Sequence, residues 1–179
     1  QEIDLGIAAA AFFNGTNYDS FVNAGAVSAE GENLTQYENN SYAFTPSQSN
    51  PSGLDFGSTA SWEVGGAGDI PAFTHTTTIG FPTLGTITSS TTVPGTGSYT
   101  LTVSNVSGAD SVLFMLGGVL HTEPGNATSS TFTEAEIDGM GTGSNFAQVA
   151  PYKMESAMKS GKLFFFVMEK VTAQSVTIE

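Results

Sequence analysis

Cationic side chains are confined to one end of this sequence. The chain of 179 residues has 17 carboxylates, two histidines, four lysines and no arginine, which gives a formal net charge of −13. The four cations all follow residue 152: Lys153, Lys159, Lys162 and Lys170. Phosphate neutralisation takes clustered Lys and Arg, and a bidentate anion clamp takes Arg. The first 152 residues are therefore unsuited to binding nucleic acid or an anionic membrane, and to Schiff-base chemistry.

Catalytic side chains are few. His75 and His121 are the two histidines, and neither has the local sequence of a triad motif. The absence of cysteine excludes thiol catalysis and thiolate zinc sites. We therefore expect both histidines to be exposed side chains without a catalytic role, and we predict that the protein is not an enzyme. Paired carboxylates leave a glycoside hydrolase as a distant alternative. The densest acidic clusters are Glu30 with Glu32, and Glu134 with Glu136 and Asp138.

Carboxylates without counter-charges suit calcium, which is bound by six to eight oxygen ligands. Two glycine-rich loops, Gly66–Asp69 and Asp138–Asn145, have the composition to wrap such an ion. Asp69 and Asp138 are accordingly candidate calcium ligands, although neither loop has the spacing of an EF-hand. No motif requires a cofactor, so bound calcium is possible but not demanded by the sequence.

Aromatic side chains offer a second kind of site, because secreted β-sandwich modules often stack sugars on exposed rings. Trp62, Tyr42 and Tyr37 are the candidate platforms, with Asn39 and Asn40 nearby in sequence. Trp62 lies in the middle of a predicted strand beside Val64, which favours a core position for its ring. A carbohydrate-binding module is therefore the second functional hypothesis.

The elements that must position these residues are β-strands. Ser98–Ser104 alternates apolar and polar residues, as a half-buried strand does. Ser111–Leu116 and Lys162–Met168 are continuous apolar runs and predict central strands buried on both faces. Ser175–Ile178 predicts a closing strand. Thr133–Glu136 has the capping-box pattern and predicts one short helical turn.

The fold class predicted from these signals is all-β, with two sandwich-like domains. Short strands and regular turns in the second half are typical of an immunoglobulin-like sandwich. The first half has fewer strands and long polar loops. The segment Phe81–Thr86, which contains Pro and Gly, indicates a hinge between the two domains. We therefore predict an irregular β domain over residues 1–82 and an immunoglobulin-like domain over residues 83–179.

Several segments resemble a family of proteins. In the second half these are YTLTVSNVSGADSVLFMLGG, FTEAEIDGM, FAQVAPY and GKLFFFVMEKVTAQSVTIE, and in the first half WEVGGAGDIPAF at Trp62–Phe73. They resemble uncharacterised secreted or lipid-anchored proteins of Bacteroidetes-type bacteria. The resemblance implies an immunoglobulin-like sandwich and an extracellular address, and it brings no catalytic residue.

The uneven charge suggests how the protein functions. An acidic body and a basic C-terminal end can pair head to tail between subunits, so Lys153 and Lys162 are candidate partner-binding residues. The apolar segment Ile3–Phe13 either forms a strand of its own domain or adds to an edge of a neighbour. No apolar run reaches the length of a transmembrane span, and a secretion signal is expected to have been removed upstream of Gln1. We predict a non-catalytic extracellular or cell-surface protein with a structural, adhesive or assembly role, filament formation being one form of it.

Overall fold

The chain is nearly all β. The computed structural model describes residues 5–15 and 18–179, and in them it has 17 strands and one helix. The first seven strands are β1 (Ala8–Ala10), β2 (Val27–Ala29), β3 (Glu32–Asn33), β4 (Thr35–Gln36), β5 (Tyr42–Phe44), β6 (Ser61–Val64) and β7 (Phe73–Thr76). The next seven are β8 (Thr83–Leu84), β9 (Thr92–Val93), β10 (Tyr99–Thr102), β11 (Val106–Ser107), β12 (Ser111–Leu116), β13 (Val119–Pro124) and β14 (Ser129–Phe132). Helix α1 (Glu134–Asp138) then precedes β15 (Gly143–Lys159), β16 (Lys162–Glu169) and β17 (Thr172–Ile178). The predicted fold class, all-β with one short helical turn, is confirmed.

The chain divides into two compact units. Unit 1 is the described part of Gln1–Thr78 together with Ser156–Phe165, and unit 2 is Ile79–Glu155 together with Phe166–Glu179. The first division therefore falls four residues before the predicted boundary at 82/83. The return of Ser156–Phe165 to unit 1 was not predicted, because β15 is one uninterrupted strand and carries no Pro/Gly signal at that point.

Unit 1 contains two small sheets, with strand orders β1-β5-β4 and β3-β2-β6-β7. Val27 of β2 lies opposite Val64 of β6, and both side chains are buried. Glu30 and Gly31, with φ of 51° and 80°, form the tight turn that joins β2 to β3. Both valines belong to the buried apolar cluster of the unit, together with Phe12, Tyr42 and Ile70 among others, and burial of this cluster stabilises the unit.

The beginning of the described chain belongs to unit 1. β1 pairs antiparallel with β5, and Gly6 forms a parallel bridge with Gly53. Phe12 is buried and its ring meets Tyr42 edge to face at 5.8 Å. In residues 5–13 the segment therefore forms a strand of its own domain, which was one of the two alternatives; Ile3 and Asp4 lie outside the described residues.

Unit 2 is built on a larger sheet with the order β13-β12-β15-β17-β9, accompanied by the pairs β10–β14 and β8–β11. Val112, Phe114 and Leu116 of β12 are fully buried, whereas Leu113 and Met115 are only half-buried. β12 is thus a central strand, as predicted, but its burial alternates between its two faces. The immunoglobulin-like assignment of this unit stays a prediction.

Helix α1 begins with the predicted capping box. The Thr133 hydroxyl accepts from the Glu136 amide, and the Glu136 carboxylate accepts from the Thr133 amide. Gly139 ends the helix after 5 residues. No helix in residues 5–15 and 18–179 is long and apolar enough to cross a membrane.

Strand β15 is the longest element, at 17 residues. Its first part pairs with β17 from Gly143 to Val149 and with β12 from Ala147 to Tyr152. Beyond Tyr152 it continues as one arm of a hairpin whose other arm is β16. Most of the lysines lie on this hairpin, so it is the first place to look for a functional surface.

Candidate functional site

The β15–β16 hairpin gathers the cations of the chain. Lys153 and Lys159 lie in β15, Lys162 lies in β16, and Lys170 follows β16 directly. Two glutamates, Glu155 and Glu169, lie in the same stretch, so residues 153–170 carry about +2 while the rest of the chain carries −15. The sequence-predicted basic end is therefore one continuous β-hairpin.

The hairpin turn determines which side chains share a face. Ser160 and Gly161 have φ of 49° and 80°, the left-handed values of a two-residue type I′ turn. Such a turn places Lys159 opposite Lys162, and therefore Met158 opposite Leu163 and Ser156 opposite Phe165. Because side chains alternate along a strand, Met158, Leu163 and Phe165 project from one side of the hairpin, which we call the outer face.

The outer face is apolar and exposed to solvent. Met158, Leu163 and Phe165 are 62%, 52% and 59% exposed. Met154 and Val167 continue the same alternation along β15 and β16, at 46% and 50% exposed. Lys162–Met168 was predicted to be a strand buried on both faces, and this prediction is wrong. The run is apolar on both faces, but only the side chains at even positions are covered by the chain.

Phe164, on the opposite face of the hairpin, packs against the core of unit 1. The Phe164 ring lies 4.5 Å from the Phe73 ring and 6.3 Å from the Phe12 ring. Lys159 Nζ donates to the Thr74 carbonyl at 2.9 Å and lies 5.7 Å from the centroid of Phe73. Lys159 is thus committed within the chain, and Phe164 anchors the end of the hairpin in unit 1.

The other three lysines are available to a partner. Lys153, Lys162 and Lys170 form no ion pair within 4.0 Å with any carboxylate in the described part of the chain. Lys153 and Lys162 were predicted to bind a partner, and no carboxylate among residues 5–15 and 18–179 forms an ion pair with either lysine. An unpaired cation beside an exposed apolar face is suited to recognition of an acidic surface that also has apolar groups.

A second cluster lies in unit 2 and was missed by sequence reasoning. His121 Nε2 lies 2.8 Å from Glu136 Oε1, and Nδ1 lies 2.9 Å from Ser130 Oγ. The Ser130 hydroxyl donates to Glu123 Oε1 at 2.7 Å. The imidazole also stacks on the Phe132 ring, with centroids 4.4 Å apart and an interplanar angle of 16°. The prediction of an exposed, unengaged histidine is therefore wrong for His121.

The protons in this cluster can be counted. His121 to Glu136, His121 to Ser130 and Ser130 to Glu123 are three contacts, whereas a neutral imidazole and a hydroxyl supply two protons. When His121 carries both ring protons, Nε2 donates to Glu136, Nδ1 donates to Ser130 Oγ, and the hydroxyl donates to Glu123. His121 and Ser130 thus link Glu136 to Glu123 through three consecutive contacts.

The cluster stabilises the fold and is poorly suited to catalysis. The hydrogen bond with His121, followed by those from the amide and hydroxyl of Thr133, lowers the pKa of Glu136 to about 2. Ser130 is 5% exposed and its proton is directed to a carboxylate, so its oxygen is not presented to a substrate as a nucleophile. The contacts connect β13, β14 and α1.

The other acidic cluster is likewise used within the chain. Glu30 Oε1 accepts from the Ser61 amide at 2.6 Å, which ties the turn after β2 to the start of β6. Glu30 and Glu136 are thus hydrogen-bonded within the chain, whereas Glu32 and Glu134 are exposed side chains. The geometry thus gives no support to the glycoside-hydrolase alternative.

The predicted aromatic platforms have three different environments. Tyr42 is 2% exposed and its hydroxyl accepts from the Ala24 amide, so it presents no ring face to a ligand. Trp62 lies opposite His75 on the same side of its sheet as buried Val64, and it packs against the core of unit 1. Tyr37 is 49% exposed and borders an open depression with Glu38, Asn39 and Ser41.

A shallow depression of about 190 Å³ lies on the other side of the sheet that contains Trp62. Polar side chains of three strands line it, and Trp62 and His75 border it: Ser28, Ser61, Glu63, Thr74 and Thr76. Hydroxyls and one carboxylate make this a polar surface, without an exposed ring on which a sugar can stack.

The candidate calcium ligands are both exposed side chains. Asp69 lies between Ala67 and Ile70, which form a bridge in unit 1, and Asp138 is the last residue of α1 in unit 2. Within residues 5–15 and 18–179 no three His, Cys, Asp or Glu side chains converge as metal ligands. Calcium bound with the help of backbone carbonyls stays a prediction, which thermal melting with calcium and with EDTA tests.

One sequence signal pointed to the outer face. Leu163, Phe165 and Val167 belong to an apolar run that has a Lys at one end and a Glu at the other. The clue to its exposure was the two-residue turn Ser160-Gly161, which makes this run a hairpin arm. The His121 cluster had no local signal, because its members are spread from position 121 to 136 over three elements.

Comparison with known proteins gives no further assignment. The chain matches no protein-family model, no curated protein and no solved structure. The geometry of its own residues is therefore the basis for a functional proposal.

Proposed function

We propose that this is a non-catalytic extracellular or cell-surface protein with a structural, adhesive or assembly role, and that its partner binds the β15–β16 hairpin. The observation that carries the proposal is the outer face: Met158, Leu163 and Phe165 are each more than half exposed on adjacent strands. Exposed apolar side chains that adjoin one another typically mark a surface that another molecule covers.

Folding does not account for these residues. Phe164 and Phe166, on the opposite face of the same strand, are half-buried and buried respectively and supply its packing. Leu163 and Phe165 gain little from folding because most of each side chain remains in water. Threonine at these positions would retain the β-propensity of the strand, so the apolar side chains point to binding rather than to stability.

Charge supports a partner that is acidic. The hairpin holds Lys153 and Lys162, and the remainder of the chain has no cation apart from the adjacent Lys170. Complementary charge orients an encounter, so an acidic surface, including that of another copy of this protein, is favoured at the hairpin. Contacts of this kind between successive copies would give the head-to-tail assembly that the charge distribution predicts.

The extracellular assignment rests on composition and resemblance. The chain has 21 glycines, no cysteine and only 12% charged residues, and its segments resemble secreted or lipid-anchored proteins of Bacteroidetes-type bacteria. Strong negative charge keeps such a β-protein soluble outside the cell. An immunoglobulin-like identity for unit 2 belongs to the same proposal.

The test replaces the outer face without disturbing the core. In the triple variant Met158→Thr, Leu163→Thr, Phe165→Thr we expect a melting temperature within about 3 °C of wild type, since these side chains are mostly in water. Binding of the labelled protein to the surface of the cells that produce it should fall at least tenfold. The matched control is Thr74→Ala and Thr76→Ala, exposed positions on β7 in unit 1. A triple variant that binds as wild type does would refute the hairpin as the binding surface.

A carbohydrate-binding module is the second candidate, and the position of Tyr37 favours it. The exposed Tyr37 ring lies beside the Glu38 carboxylate and the Asn39 amide, the group types that bind a sugar. The Asn39 carbonyl oxygen already accepts from the amide and hydroxyl of Ser41. A glycan array with wild type, Tyr37→Ala and Trp62→Ala tests this reading. It predicts a signal lost in Tyr37→Ala, and an empty array for wild type would exclude it.

A further inference from the structure

Strand β16 has an open edge. It pairs with β15, and in the described chain no other strand pairs with it. In a hairpin with a two-residue turn, Lys162 and then every second residue exchange hydrogen bonds with β15. Leu163, Phe165 and Val167 therefore direct their amides and carbonyls away from β15. None of these three residues has a backbone partner elsewhere in the described chain.

Nothing along this edge discourages pairing. Exposed edges are normally protected by an inward charge, a proline, a bulge or a covering loop. Between Leu163 and Met168 the strand has no charge, proline or glycine. The same three residues that direct backbone groups outward also expose their side chains on one face. Open backbone groups and exposed apolar side chains on one strand indicate a strand partner.

We propose that the partner is a second copy of this chain, whose β16 pairs antiparallel with β16 across a two-fold axis to form a four-stranded sheet. This inference rests on the proposed function, because it names the partner of the same hairpin. A two-fold pair of hairpins is the alternative to head-to-tail contacts through that hairpin. A two-fold axis perpendicular to the sheet keeps both outer faces on one side and requires outward-directed residues to oppose each other. Pairing centred on Phe165 meets this requirement, with Leu163 of one copy opposite Val167 of the other.

Backbone and side chains are both complementary in this register. Each of the three residue pairs exchanges two hydrogen bonds, so all the outward amides and carbonyls of Leu163, Phe165 and Val167 are satisfied. The two Phe165 rings become cross-strand neighbours on the joint outer face, where aromatic pairs stabilise a sheet. An acidic partner that adds no strand would neutralise the lysines. It would leave these backbone amides and carbonyls without hydrogen-bond partners.

Charge favours the antiparallel arrangement of two copies. β16 begins with Lys162 and ends with Glu169, so antiparallel pairing brings the basic end of each strand beside the acidic end of the other. Elsewhere two copies present carboxylates to each other, because the remaining surface has a large excess of acid. The hairpin is therefore where self-association meets the least repulsion, and salt that screens the repulsion should strengthen it.

The contact is small, so the dimer should be dissociable. One strand edge and the side chains beside it bury on the order of 1,000 Å² in total, the lower end for a specific interface. We expect a dissociation constant of about 10 μM, which makes the dimer concentration-dependent in solution.

Sedimentation velocity of the full chain between 1 μM and 1 mM tests the inference. Wild type should shift from monomer to dimer, more readily in 0.5 M than in 0.05 M NaCl. Phe165→Pro removes an outward amide that β15 does not use, so it should weaken the dimer at least tenfold while the melting temperature of the monomer changes little. Leu120→Thr, at an exposed apolar position on β13 outside the hairpin, is the matched control and should dimerise as wild type does.

Amide exchange measured by NMR gives a readout that needs no variant. The amides of Leu163, Phe165 and Val167 should become protected as concentration rises, whereas those of Phe164 and Phe166 should be protected at every concentration. Wild type that stays monomeric at 1 mM, unprotected amides in a dimer, or equal weakening by Leu120→Thr and Phe165→Pro would each overturn the edge-paired dimer. If wild type is monomeric but the triple threonine variant still loses cell binding, only this inference fails; if cell binding is also unaffected, the proposed function fails as well.

Discussion

The His121 cluster and the outer face of the hairpin are opposites. In the cluster, polar groups of three elements meet and each has a partner within the chain. On the outer face, apolar side chains and outward backbone groups have no partner within the described chain. The cluster has the residue types of an active site, yet the outer face, with its exposed Met158, Leu163 and Phe165, is the better candidate for function.

The two regions differ in whether their favourable interactions form on folding or remain available for association. A histidine, a serine and two carboxylates that satisfy one another contribute to folding, and little of their hydrogen-bonding capacity is left for a ligand. Exposed leucine and phenylalanine contribute little to folding, and the free energy of their burial is still available to association. Catalytic residue types are therefore a weaker indication of function here than unsatisfied groups.

The largest difference in stability between two variants is expected for substitutions of Phe164 and Phe165, which lie on opposite faces of β16. Phe164→Ala removes a ring that contacts Phe73 and Phe12, and should lower the free energy of unfolding of unit 1 by about 2 kcal/mol. Phe165→Ala should change it by less than about 0.7 kcal/mol, because most of the ring is in water. Chemical denaturation followed by Trp62 fluorescence measures both, and equal losses would show that the outer face is structural.

The next largest loss of unfolding free energy is expected when the His121 cluster is disrupted. His121→Ala leaves Glu136, Ser130 and Glu123 without the imidazole and removes the stack on Phe132, so we expect a loss of about 1.5 kcal/mol in unfolding free energy. Thr122→Ala, an exposed neighbour on β13, is the control and should stay within about 0.5 kcal/mol. If the two variants are equally stable in circular-dichroism melts, the cluster does not stabilise unit 2.

Acid should weaken the cluster selectively. The pKa of Glu136 is lowered from 4.5 to about 2, so the folded state favours the carboxylate more than the unfolded state does. That stability is fully present above pH 4.5 and is lost as the pH falls from about 4.5 to 2. Glu136→Gln should therefore melt below wild type at pH 6. The difference between the two melting temperatures should decrease as the pH falls from about 4.5 to 2. A gap that is the same at pH 6 and pH 2.5 would contradict the lowered pKa.

The smallest predicted effect is a difference in unfolding free energy between variants of two lysines, Lys159 and Lys162. Lys159 bonds the Thr74 carbonyl and lies over Phe73, so Lys159→Gln should cost about 0.5 kcal/mol of unfolding free energy. Lys162→Gln should be neutral within error for stability, since Lys162 has no ion pair in the described residues. Lys162→Gln should instead lower the association rate with an acidic partner, measured by surface plasmon resonance at 0.05 M NaCl.

Much of the fold was predictable because its signals are local. Alternating and continuous apolar runs indicated the strands, and Ser111–Leu116 was identified with the bounds of β12. Thr133 and Glu136 indicated the start of α1 because a capping box needs no tertiary contact. The extent of β15 was not predictable, since Tyr152–Lys159 mixes polar and apolar residues and its pairing partner β16 follows it in the chain.

The candidate site was only half predictable. The lysines were expected to form a basic end, and they lie on the two arms of one hairpin and directly after it. The burial of β16 was predicted wrongly, because an apolar run shows that both faces of a strand can be covered but not whether anything covers them. The roles of Tyr42 and Trp62 depended in the same way on which neighbours reach each ring.

The sequence by itself determined the all-β class, the capped helical turn, and the confinement of cations to the last 27 positions. These follow from composition and short-range periodicity, which depend on neighbouring residues alone. Tertiary structure alone decided that His121 meets Ser130 and Glu136, and that Leu163 and Phe165 remain in water while Phe164 is packed. Burial and hydrogen bonding between distant residues depend on how the strands pair and pack, and no local pattern specifies that.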